Sequence, residues 1–98
     1  MSISFVSSII SRLKREIEQL EKNSKADSKK KDGALAKLKQ LQKDSQKSTL
    51  PSDLSNKMTR IEKLNEELSE INKRQLQQSK QLADKKAELQ THLSKQKK

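Results

Sequence analysis

The stretch "KSTLPSDLSNKM", residues 47–58, holds the only proline of the chain, Pro51. Whether it is a linker inside one long helix or a turn between two decides the fold. Pro51 fixes its own φ and lacks an N–H, so it suits the first turn of a helix and disrupts a helix interior. It also pushes Leu50, before it, out of the α region. Asp53 then brings a carboxylate into the first turn of the helix that follows, where the helix dipole favours it. Thr49, Leu50, Pro51 and Ser52 therefore read as a turn, spanning about 46–51, with a helix starting directly after it.

Working outward, both sides carry a seven-residue apolar repeat. Before the proline, Ile3, Ile10 and Ile17 share one heptad position, and Val6, Leu13 and Leu20 share the position three further on. The same phase continues through the polar Ser24, Asp27 and Lys31 and returns to Ala34, Leu38 and Leu41. Beyond the proline, Leu54, Ile61, Leu68, Gln75, Leu82 and Leu89 recur at intervals of seven, flanked by Leu64 and Ile71 and then by Gln78, Lys85 and His92. Each seam is apolar at its ends and polar in its middle.

Folding the chain back at Thr49 and Leu50 puts Ile17 opposite Leu82, Ile10 opposite Leu89 and Leu38 opposite Ile61. The polar run Ser24, Asp27 and Lys31 then meets Gln75, Asn72 and Leu68, so the polar gaps largely coincide. The arms match in length, each about 44 residues or roughly 66 Å at the helical rise. The expected fold is all-α: one coiled-coil domain over residues 1–98, an antiparallel helical hairpin with helix 1 at about 3–46 and helix 2 at about 52–95. Lys95, Lys97 and Lys98 close the second helix with cations, the sign its C-terminus favours. Within helix 1, "NSKADSKKKDG" disfavours helix locally and reads either as a kinked stretch of one helix or as a loop over 23–33.

Composition agrees with this architecture. Ala, Glu, Lys, Leu and Arg make up about half of the chain, the signature of long helices and coiled coils. With 29% hydrophobic residues, one Phe, no Trp and no Tyr, the chain has no material for a broad globular core. A lone two-helix hairpin buries little apolar surface. Ile9, Leu35, Met58, Leu76 and Leu93 lie off the seam as a second stripe, which predicts self-association, a homodimer or larger, most simply a dimeric four-helix arrangement.

Catalytic chemistry has little to stand on. There is no Cys, one His and one Gly, hence no thiolate, no disulfide and no phosphate-cradling glycine loop. His92, near Lys95, reads as a seam or surface histidine. Glu62, Glu66, Glu67 and Glu70 resemble paired acids, but Arg60, Lys63 and Lys73 at helical spacing turn them into surface ion pairs. No catalytic, cofactor-binding or metal-binding residue is expected, and the chain is not read as an enzyme. No apolar run approaches a transmembrane span, and "MSISFVSSII" lacks the marks of a secretory signal, so a cytoplasmic location is expected. "SFVSSIISRLKREI" could lie on an anionic membrane, yet its apolar face is the seam that the hairpin needs. The net charge of +10 leaves phosphate contacts open through the lysine-rich surface. Against nucleic acid as a partner stand the absence of Tyr and Trp, the scattered acids, and arginine confined to positions 12, 15, 60 and 74.

The segment "LPSDLSNKMTRIEKLNEELSEINKRQ" resembles the N-terminal coiled-coil region of bacterial TIR-domain proteins, NAD hydrolases of immunity and virulence. The resemblance is carried by Ser48 and Thr49 in the lead, then Pro51, Ser52, Leu54, Lys57, Met58 where the family has Leu, and Ile61. "SFVSSIISRLKREIEQLEK" is similar to the first helix of such proteins. The resemblance implies a scaffold that brings C-terminal TIR domains together; the catalytic Glu of that family belongs to the TIR domain, and no position here receives it. Two other functions fit the residues: a small helical adaptor or secretion partner of another helical protein, and a basic nucleic-acid-binding coiled coil.

Overall fold

The computed structural model describes residues 2–96, and the side chains of residues 5–95. It consists of α1 (Ser2–Lys47) and α2 (Pro51–Gln96), each of 46 residues. The two run antiparallel as a helical hairpin: Asp27 of α1 pairs with Arg74 of α2, while the earlier Glu16 pairs with the later Lys85. Among the described residues there is no strand. Among the described residues no helix is long and apolar enough to cross a membrane.

The turn is built as the chemistry around Pro51 requires. Pro51 takes the first helical position, where its missing N–H leaves no helical bond unmade. The Leu54 N–H donates to the Leu50 carbonyl at 3.0 Å, and the Ser48 N–H donates to the Ser45 carbonyl at 3.3 Å. The Ser48 hydroxyl and the Lys57 ammonium both donate to Asp53 Oδ2, each at 2.6 Å. These two bonds, the Lys57 one foremost, hold the Asp53 carboxyl below its ordinary range. Among the described residues no non-glycine has a positive φ, so the connection carries no backbone strain of that kind.

By its contacts the chain divides into two units. In the first, residues up to 25 pack with those from 75 onward: Ile10, Leu13 and Ile17 are buried, and Val6, Leu20, Leu82 and Leu89 are half-buried. Lys85 and His92, polar at seam positions, are half-buried beside them. In the second, Ala26–Arg74, the core is Ala34, Leu68 and Ile71, with Leu38, Leu41, Leu54, Ile61 and Leu64 half-buried. Ile3 lies outside the described side chains, and Lys97 and Lys98 lie outside the described residues.

α1 runs unbroken through residues 23–33. Gly33 is helical there, a position worth about 1 kcal/mol less than alanine. The seam on either side keeps the stretch helical, since both Asp27 and Ala34 are buried in phase with Leu41. The level of pairing differs from the expected one: Asp27 meets Arg74, and Asn72 is exposed. The heptad pattern states which residues face the seam but not how far one helix slides along the other. Asn72 directly follows the buried Ile71 and so points about 100° away from it. Of the second stripe, Ile9 and Leu93 are half-buried, whereas Leu35, Met58 and Leu76 are exposed.

Candidate interaction surface

Each unit carries a cross-helix ion pair at the edge of its seam. In Ala26–Arg74, Arg74 donates from Nη2 and Nε to the two carboxylate oxygens of Asp27, at 3.1 and 3.3 Å. Asp27 is buried while Arg74 keeps nearly half its side chain in water. The hydrogen bond to Asp27 is the main reason the Arg74 pKa is raised, with Glu70 and Glu67 adding smaller attractions. Those two carboxylates, exposed with Glu62 and Glu66, therefore act on Arg74 besides any role as surface charges. In the other unit, Glu16 accepts from Lys85 Nζ at 2.9 Å and lies 3.3 Å from Arg12 Nε. The Lys85 hydrogen bond leads the causes that lower the Glu16 pKa. Glu21 and Lys86, 3.8 Å apart and exposed, add a weaker pair.

Each unit also has an open groove. In Ala26–Arg74 a groove of about 380 Å³ has Leu41 and Leu64 as its floor and Lys37, Arg60 and Lys63 with Gln40 as its walls. In the other unit a groove of about 310 Å³ is lined by Phe5, Ile9, Arg12, Arg15, Glu88 and His92, with Ser8. His92 sits 4.0 Å from Glu88 through Nε2, while its buried Nδ1 has no hydrogen-bond partner among the described residues. Among the described residues no group of three or more His, Cys, Asp or Glu side chains could hold a metal ion.

Of the expected seam residues with described side chains, Ile10, Leu13, Ile17, Leu68 and Ile71 are buried and the others half-buried. Of the turn residues, Thr49, Leu50, Pro51 and Ser52 are all exposed, Leu50 with 64% of its surface in water. The residues behind the TIR resemblance divide by role: Leu54 and Ile61 turn inward, Lys57 ties down Asp53, and Met58 points out. Arg74 and Glu16, which pair across the two helices, went unread in the sequence. Their signal was position: each directly precedes a seam residue, Gln75 or Ile17, where charged side chains reach across to the partner helix.

No family model, curated protein or solved structure matches the chain.

Proposed function

We propose that the chain is a self-association module, a helical hairpin that pairs with a second copy of itself and gathers the domains joined to it. The observation that carries this reading is the thinness of the core. A compact chain of this mass exposes about 5,700 Å², whereas this one exposes 7746 Å². The excess on one chain is more than twice the roughly 800 Å² that each partner gives to a standard protein–protein interface. Leu35, Met58 and Leu76, left in water by the hairpin, supply apolar surface for such a contact.

The likeness around Pro51, Ser52, Leu54 and Ile61 supports reading the gathered domains as NAD-cleaving TIR domains of a cytoplasmic bacterial immunity or virulence protein. Tethering raises the effective concentration of one such domain near another, into the millimolar range for short linkers, at roughly that order. The test joins a TIR domain after residue 98 and measures NAD cleavage at fixed concentration. Cleavage should fall when Leu13→Asp breaks the seam; equal rates with intact and broken hairpins would refute clustering.

A second reading draws on the groove over Leu41 and Leu64. Its apolar floor and three cationic walls, Lys37, Arg60 and Lys63, suit an acidic amphipathic helix of another protein. That favours the adaptor class. Salt-sensitive binding of such a helix, lost in Arg60→Glu, would support it.

A further inference from the structure

The Ala26–Arg74 unit has two flanks of opposite character. In a paired helix, residues just before the first seam position and just after the second lie on opposite sides of the seam. The preceding positions, Lys30, Lys37, Asp44, Asp53, Arg60, Glu67 and Arg74, are charged without exception. The groove walls Lys37 and Arg60 belong to this flank, which shows that the two helices present it together. The following positions are Ser28, Leu35, Gln42, Met58, Asn65 and Asn72, and none of them is charged. This occurs in a chain that is 37% charged. All six are exposed, Leu35 by 44% and Met58 by 61%.

An uncharged, partly apolar flank has the makeup of an interface core, where charge is depleted and Met enriched. The net charge selects its occupant. The charged flank also holds the acids Asp44, Asp53 and Glu67, but its groove walls Lys37, Arg60 and Lys63 carry one sign, and a second copy laid on that groove would bring the same three cations to it. Meeting through the uncharged flank brings no like charges into contact at these positions. Asn, Gln and Ser side chains each donate and accept, so the flank is compatible with a copy of itself. A two-fold contact requires that self-compatibility. An acidic partner, by contrast, would seek the charged flank.

We propose that the flank formed by Leu35, Gln42, Met58 and Asn65, with Ser28 and Asn72 at its ends, is the face through which a second copy of this chain packs. The inference rests on the self-association reading and names its surface. Because the chain has no cysteine, introduced cysteines report contacts without ambiguity. The experiment measures molar mass for the unaltered chain, for Leu35→Lys with Met58→Lys, and for Lys37→Glu, with helicity followed by circular dichroism. It also oxidises a mixture of Leu35→Cys and Asn65→Cys chains, and Lys37→Cys alone. The expected result is a dimer that Leu35→Lys with Met58→Lys halves in mass at unchanged helicity, that Lys37→Glu leaves intact, and that crosslinks through Leu35→Cys or Asn65→Cys. A dimer indifferent to the lysine pair, or crosslinked through Lys37→Cys instead, overturns this surface and leaves self-association standing. A monomer at every concentration overturns both.

Discussion

Arg74 reaches from α2 to Asp27 of α1, its Nη2 3.1 Å from one carboxylate oxygen and its Nε 3.3 Å from the other. The pair joins a buried acid to a half-exposed base. A carboxylate taken out of water depends on such bonds, and removing a partner leaves its desolvation less compensated. Arg74→Ala should therefore lower the urea midpoint clearly, and by more than Glu21→Ala, whose pair with Lys86 is exposed at 3.8 Å. Replacing both Asp27 and Arg74 with Leu should recover the loss or exceed the original stability, because apolar replacements of buried ion pairs often do. An Arg74→Ala midpoint equal to that of the unaltered chain would remove the pair from the account of register.

The core prediction concerns Ile71 and Leu13, which leave 0% and 1% of their surface exposed. Truncating either to Ala should cost about 2–5 kcal/mol, the range for a buried aliphatic side chain. Leu76→Ala, at a side chain 76% exposed, should change the stability of the isolated hairpin by less than about 0.5 kcal/mol. Chemical denaturation of the three variants checks the ranking.

These residues also show how much the sequence made legible. The helical hairpin could be read because Ile10 and Ile17, or Ile61 and Leu68, repeat at seven on both sides of a proline that cannot sit inside a helix. The axial offset could not be read, because a repeat of seven is equally satisfied by several slides of one helix along the other. What distinguishes them is the reach of long side chains such as Arg74 and Lys85 to Asp27 and Glu16, which spacing does not encode. The stretch around Gly33 was ambiguous for a related reason: local propensity opposed helix, and the burial of Ala34 and Asp27 against α2 outweighed it. Leu35, Met58 and Leu76 looked like one stripe, but only the packed structure separates them from the half-buried Ile9 and Leu93.

Gly33 gives a prediction in the stabilising direction. It sits within α1 with a negative φ, and a Cβ built on it meets nothing within 4 Å. Gly33→Ala should stabilise the chain by about 0.5–1 kcal/mol through helix propensity and a less flexible unfolded state. Thermal denaturation should show a raised midpoint; a lowered one would mean that residue 33 is not helical in solution.

Acid should loosen the turn and the Glu16–Lys85 contact. Asp53 and Glu16 both have folded-state pKa values below their ordinary 3.8 and 4.5. A depressed carboxylate contributes stability that is present above the unfolded pKa and lost as pH falls through the folded one. Stability should thus fall on acidification below about pH 5. Asp53→Asn with Glu16→Gln should flatten the dependence, read as the thermal midpoint at several pH values.

The orientation of two hairpins bears on clustering. If the two-fold axis runs along the helices, both turns lie at one end and Leu35 meets Asn65 of the second copy. If it runs across them, Asn65 meets Asn65. Clustering of attached domains expects the first arrangement, so a mixture of Leu35→Cys and Asn65→Cys chains should give the mixed disulfide. Asn65→Cys crosslinking only to itself would put the turns at opposite ends and count against clustering, while leaving the packing surface intact.

The central claim, that this hairpin associates with itself, is tested most directly by its molar mass in solution, followed by sedimentation equilibrium over a broad concentration range. Self-association predicts a mass rising with concentration to at least twice the 11.3 kDa of one chain. A mass that stays at 11.3 kDa throughout would contradict it.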